Sequence, residues 1–210
     1  MRTPEINRSL EQSISRDRLS KYLSDQDDDL DAALSLYEKN MRLSEALYPP
    51  LQCLEICLRN RIHASMQSKY GSGWLRNHTV PLEHTARDMI DRAMGGIRKP
   101  EAEITSSDIV AELRFSFWVG ILGPGYDATL WREAIHKCFP NARSLGRRQV
   151  HGRMNALRRF RNRVAHHEPI FFRPVGRMHN EIIEAIGWMC ADTRAWAEHH
   201  SRVLRVLNSN

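Results

Sequence analysis

The stretch LRRFRNRVAHHEPIFF (Leu157–Phe172) sets four arginines and two adjacent histidines among large apolar residues, with a proline near its end. Projected at about 100° per residue, the run from Arg147 to His166 places Val150, Met154, Leu157 and Val164 on one stripe, at spacings of four, three and seven. Such a stripe is the apolar face of an amphipathic helix. Arg161 falls in the gap of seven, where a core position expects a leucine. A guanidinium there loses solvation and must be paired or reach a ligand.

The same projection on an earlier long helix gives Leu47, Leu51, Leu54, Leu58 and Ile62 as the apolar stripe, with Glu55 inside its arc. Two opposite charges on core-facing positions of two helices are expected to meet, so Glu55 should pair with Arg161. Away from the stripe of the basic helix, Asn155, Arg159, Asn162 and His166 lie within about 60° of one another. Asn162 and His166 are one turn apart and can share a ligand. Pro169 disfavours helical geometry at Glu168, so the helix should end near His167 with His166 in its last turn.

Outward from this run the pattern is helical, with Gly and Pro as breaks. A short helix is expected over Ile14–Leu23, followed by the acidic SDQDDD. Asp28 or Asp29 should cap a long helix reaching about Ser68, kinked or briefly broken at Pro49 and Pro50. A helix from Glu83 to Met94 should be closed by Gly95 and Gly96. DIVAELRFSFWVGIL reads as one helix, capped by Ser106, Ser107 or Asp108 and buried in its second half, with Phe115, Phe117 and Trp118 in the core. ATLWREAIHKCF reads as another short helix, and Val175 to Leu207 as one long final helix. No alternating strand pattern of useful length and no solenoid repeat is present. The expectation is an all-α single domain, 27–210, preceded by an N-terminal helical segment, 1–26.

The chain carries a net charge of +6, unevenly distributed. Between Ala134 and His167 there is no acid but nine Lys and Arg, so the remainder is left with a net −3. A concentrated basic segment on a slightly acidic body suits a polyanion such as RNA. No apolar run is long enough to cross a bilayer, and the polar MRTPEINRSLEQ start lacks the apolar core of a secretory signal. A cytoplasmic protein without membrane contact is expected. Cys53, Cys57, Cys138 and Cys190 make neither a zinc-ligand pattern nor a disulfide framework and read as buried free thiols. GILGPG lacks the Lys and Ser or Thr of a phosphate loop. RNRIH (Arg59–His63) has only three residues between its Arg and His and reads as coincidence.

RNRVAHHEP (Arg161–Pro169) resembles the signature of the HEPN superfamily, an arginine and a histidine separated by four to six residues, here with Asn after the Arg. Together with LEICLRN (Leu54–Asn60) and LRFSFWVGIL (Leu113–Leu122), it is similar to the Abi-like, abortive-infection branch. The resemblance implies a HEPN-like helical bundle with additional helices, dimerising so that two motifs face a shared cleft. It also implies a metal-independent endoribonuclease without cofactor, serving as a toxin or in antiphage defence and restrained by an antitoxin protein or regulatory RNA. Arg161, Asn162 and His166 match the motif; Glu55, Arg59 and Asn60 match polar positions of the earlier helix. Arg161 with His167, and Arg159 with His166, also satisfy the spacing; the Asn beside the arginine favours Arg161 with His166.

RNA carries its own nucleophile, the 2′-hydroxyl. A protein need only remove its proton, protonate the leaving 5′-oxygen and stabilise the phosphorane. Neutral His166 suits the base and a protonated His166 of a second copy the acid, while the planar fork of Arg161 binds two phosphate oxygens. Arg158, Arg159 and Arg163 would hold flanking phosphates. On an ideal helix Arg161 and His166 project about 140° apart, so a dimeric cleft or unwinding before Pro169 is needed to bring them together. Two other readings differ in kind: the same basic cleft holding a structured RNA or nucleotide uncut, and a protein-interaction component in which the charged pair only fixes a dimer.

Overall fold

A computed structural model describes residues 2–209; it is all-α, with ten α-helices and no strand among the described residues. The organising element is the helix α3, Leu30–Tyr70, preceded by α1 (Pro4–Ile14) and α2 (Arg16–Asp25). At 41 residues, α3 runs for about 60 Å. Its start is fixed by Asp29, whose carboxylate accepts from the amides of Asp31 (2.9 Å) and Ala32 (3.1 Å), supplying partners for otherwise free N–H groups. Its end is fixed by Gly71 at φ 86°, a left-handed conformation that glycine adopts without Cβ strain. Contrary to the expected break, the helix passes through Pro49 and Pro50 without interruption. Leu47, Pro50, Leu51 and Leu54 are buried around the pair, so burial of these turns offsets the two N–H groups that proline removes.

The helices α4 (His84–Gly96), α5 (Ser106–Glu112), α6 (Phe115–Gly120), α7 (Arg147–Ala165), α8 (Val175–Met189), α9 (Ala191–His200) and α10 (Val203–Asn208) complete the body. The most extensive helix pairing is α3 with α8, and α2, α6, α7, α9 and α10 also touch α3. The main core takes Leu43–Met66 of α3 together with α4 to α10. A smaller core joins Leu19, Tyr22 and Leu23 of α2 to Ala33 and Leu34 of α3, with Phe171 packed against it. The first turns of α3 thus bind the N-terminal helices to the rest of the chain.

Several boundaries differ from the sequence reading for identifiable reasons. Gly95 and Gly96 lie inside the last turn of α4 and Ile97 is its cap. Thr105, not Ser106, Ser107 or Asp108, caps α5, and Asp108 completes a capping box by accepting from the Thr105 amide at 2.9 Å. The run DIVAELRFSFWVGIL is two helices, extended at Leu113 and Arg114. Leu113, Phe115, Phe117, Trp118 and Val119 are all buried, and a break lets both halves of an apolar run turn inward, which one straight helix with a single core face does not.

The segment ATLWREAIHKCF forms a wide π turn at Asp127–Trp131 and a 3-10 turn at Ile135–Cys138. The expected final helix is three, broken at Cys190 (φ −160°) and at Ser201–Arg202. Asn141 stabilises the first break, its side-chain amide donating to Gly187 O (2.9 Å) and its backbone amide to Trp188 O (3.1 Å). Folding back lets α9 pack along α8, close enough that a Cβ on Gly187 would stand 2.8 Å from Arg194 Cδ. No described helix is long and apolar enough to cross a membrane.

Candidate functional site

Within α7 the core positions are Val150, Met154, Leu157, Phe160 and Val164. Phe160 occupies the inward place expected of residue 161, three residues after Leu157 and four before Val164. Arg161 is therefore displaced to the edge of the buried stripe, with 37% of its side chain exposed. The expected partner is there: Arg161 Nη2 lies 3.1 Å from Glu55 Oε2 of α3, whose side chain is 25% exposed. The pair bridges α3 and α7 and stands between two clefts. One, of about 520 Å³, is lined by Glu55, Arg158, Arg161, Asn162, His166 and the stretch Ala111–Ser116 where α5 meets α6, Glu112 and Arg114 included. The other, of about 290 Å³, is lined by Tyr48, Gln52, Glu55, Ile56, Arg59 and Arg161.

Arg161, Asn162 and His166 thus line one cavity within one chain, although an ideal helix separates the first and last by about 140°. The long arginine side chain lies at the helix edge, and the helix ends at Ala165, with His166 as its cap at φ −91°, ψ 11°. The His166 side chain is exposed and has no hydrogen-bond partner among the described residues. The other residues singled out from the sequence divide. Arg158 lines the cavity, with Nε and Nη2 donating to Asn155 Oδ1 at 3.1 and 2.9 Å. Arg159 is exposed on the outer face, and His167 is exposed outside the cavity wall.

Arg163 pairs with Glu168 (3.0 Å) and sits over the Phe172 ring (5.9 Å), holding the turn after α7 rather than facing the cavity. Arg59 lines the smaller cleft, and its Nε donates to Asn60 Oδ1 at 3.3 Å. Asn60 faces a third groove, with Cys53, Cys57, Cys190 and Trp196. The four cysteines are free thiols, but only Cys138 is fully buried. Burial pushes the Cys138 thiol up to about 12 and the Cys57 thiol to about 11. Cys190 instead caps α9, where hydrogen bonds from Thr193 lower it. The expectation of buried thiols is corrected for the other three, which are only partly buried: Cys53 and Cys57 pack at the edge of the core on α3, and together with Cys190, at the junction of α8 and α9, they line the groove.

Sequence reasoning missed the residues that hold His166 in place. The turn after α7 closes with the Glu168 amide donating to Arg163 O (2.9 Å) and the His167 amide to Val164 O (3.1 Å). This closure needs a left-handed residue, usually glycine, and His167 takes it at φ 57°. Arg18 of α2 donates to His166 O at 3.3 Å and to His167 O, placing a cation at the negative end of α7. Beyond Pro169, Asn40 Oδ1, buried on α3, accepts from the amides of Ile170 (2.7 Å) and Phe171 (3.2 Å). The turn is thus fastened from both sides by side chains that no local pattern marks.

No three His, Cys, Asp or Glu side chains come together as a metal-ligand set among the described residues. Comparisons with protein-family models, curated proteins and solved structures find no match for this chain.

Proposed function

We propose that the protein is a metal-independent endoribonuclease of the Abi-like HEPN type, acting as a homodimer in an abortive-infection or toxin–antitoxin type of defence. The observation that carries this reading is the convergence of Arg161, Asn162 and His166 on one cavity, with Glu55 bridged to Arg161. A scissile phosphate entering the cavity competes with Glu55 for the Arg161 fork, and Asn162 offers a neutral donor beside it. His166, at the rim, takes the proton of the 2′-hydroxyl; the 2′-oxygen attacks phosphorus; and a protonated His166 of the second copy delivers a proton to the departing 5′-oxygen. The products are a 2′,3′-cyclic phosphate and a 5′-hydroxyl, so the chemistry needs no external nucleophile.

Large apolar side chains on the outer face of α3, interspersed with the exposed Glu45 and Gln52, support the dimer. Met41, Tyr48 and Ile56 are all exposed there, at spacings of seven and eight that align them along one side of the helix. Tyr48 and Ile56 also line the cleft that contains Arg161, so a second copy seated on this face would close over the charged pair.

A second reading, binding of a structured RNA or nucleotide without cleavage, is favoured by the free His166 side chain. A general base is ordinarily oriented by a hydrogen-bonded neighbour, and none stands beside this one among the described residues. One experiment separates the two. Purified protein incubated with RNA in EDTA is expected to give fragments ending in cyclic phosphate, and His166→Ala to abolish them with binding changed less than twofold. Binding without fragments at any enzyme concentration would establish the second reading. Gel filtration under the same conditions is expected at the mass of two chains.

A further inference from the structure

A second sizeable cavity lies far from His166. Its lining includes Trp131, Arg132, His136, Lys137, Phe139 and Arg143, and its volume is about 650 Å³, within the range of small-molecule sites. It borders the start of α7 through Leu145, whereas His166 stands at the other end. The 19 residues of that helix separate them by about 27 Å. The cavity exists because Asp127–Phe139 is not a regular helix: the π turn and the following 3-10 turn bring Trp131 onto Phe139, ring centroids 5.8 Å apart and planes 26° from parallel.

The polar lining is entirely basic. Arg132, Lys137 and Arg143 have no ion-pair partner among the described residues, and the adjacent acid, Glu133, is engaged by Lys69 (3.5 Å) and by the Tyr70 hydroxyl (2.8 Å). Cations that converge on a concave surface without a carboxylate focus a positive field and favour an anion. Trp131, partly exposed in the same wall and backed by the buried Phe139, provides a flat apolar surface for a ring.

We propose that this cavity binds a nucleoside phosphate, with the base against Trp131 and phosphate oxygens held by Arg132, Lys137 and Arg143. The same chemistry is offered by a free nucleotide and by one nucleotide of a single strand. The inference is independent of cleavage at His166, and its test does not use RNA.

Calorimetric titration of the full chain in EDTA compares ATP, inorganic triphosphate, adenosine and a deoxyadenosine pentanucleotide, which has no 2′-hydroxyl to attack. ATP is expected to bind at least tenfold more tightly than triphosphate, in keeping with base–aromatic stacking, and adenosine more weakly than either. Trp131→Ala should erase the difference between ATP and triphosphate. Because Trp131 supports Phe139, the exposed Lys137→Glu is the second variant; it should weaken ATP at least tenfold with an unchanged melting temperature. A pentanucleotide that binds more tightly than ATP, and loses affinity equally in Lys137→Glu, identifies a strand as the source; the reverse order identifies a free nucleotide. The proposal is overturned if triphosphate binds as well as ATP, if Lys137→Glu leaves ATP affinity unaltered, or if ATP at millimolar concentration produces no heat.

Discussion

Replacing Glu55 by Gln tests the feature on which the candidate site is built. At the 3.1 Å separation of Arg161 Nη2 and Glu55 Oε2, direct attraction amounts to about 5 kcal/mol at an effective dielectric constant near 20. Both side chains are partly exposed, 37% and 25%, so screening and the cost of desolvating two charges leave a net coupling of about 1 kcal/mol. Each single neutralisation, Glu55→Gln or Arg161→Gln, is expected to cost about 1–2 kcal/mol, because the remaining charge stays half-buried without its partner. The reversed pair, Glu55→Arg with Arg161→Glu, should recover about 1 kcal/mol relative to the sum of its singles. With a urea slope of about 2 kcal/mol per M, this shifts the midpoint by about 0.5 M. RNA affinity separates the partners further: Glu55→Gln frees a cation and should steepen the salt dependence by about 0.7 in log–log slope, while Arg161→Gln should flatten it by a similar amount. A coupling below about 0.3 kcal/mol, indistinguishable from additivity, together with equal salt slopes in both singles, would falsify the assignment of this pair to the site.

Other perturbations address the parts around the pair. Arg18→Ala removes the donor to the His166 and His167 carbonyls; it should cost about 1 kcal/mol in urea unfolding and lower cleavage about tenfold, with RNA binding changed less than twofold. Full cleavage in that variant would show that the turn needs no clamp. His167→Gly relieves a left-handed side chain at φ 57°, gaining about 1–2 kcal/mol of strain less about 0.5–1 for the freer unfolded glycine; a net gain near 0.5 kcal/mol is expected, and a loss of stability would assign the imidazole a structural contact. His63 is held below its ordinary value by burial, and its Nδ1 accepts from Trp74 Nε1 at 3.1 Å. The unfolded chain then binds the proton more readily, so this stability is present above about pH 6.5 and is lost as pH falls towards the lowered value. His63→Gln should flatten the drop in melting temperature between pH 7.5 and 5; an unchanged slope would place the acid sensitivity elsewhere, for instance at His179, which burial also lowers.

Much of the helical plan was legible from periodicity, because each long helix presents one face to the core and that face is written at fixed spacings. The stripe of α3 and the cap at Asp29 are local consequences of side-chain size and an Asx cap, whereas α7, expected to end near His167, ends at Ala165, where a left-handed His167 closes the turn. The pairing of Glu55 with Arg161 was legible for a related reason: two opposite charges near apolar stripes on different helices have few partners besides each other.

What local pattern leaves open are choices between nearly equal arrangements. A spacing of seven from Leu157 to Val164 admits either Phe160 or Arg161 as the inward residue, about 100° apart, and packing against the neighbouring helices selected Phe160. The run at Phe115–Leu122, interrupted only by Ser116 and Gly120, is apolar on nearly every side, so the break before it at Leu113–Arg114 follows from the shape of the core and not from a breaker residue. Arg18 and Asn40 reach the turn after α7 across 148 and 130 residues, a distance at which no periodicity operates. The cationic, aromatic cavity at Trp131–Arg143 likewise arises only when a segment of helical composition folds as two tight turns. The sequence by itself determined the all-α class, the basic segment and the charged pair, since each depends on composition and spacing along one or two helices. Which groups face a common cavity was decided by tertiary packing, because cavities form between elements and their walls are set by how those elements meet.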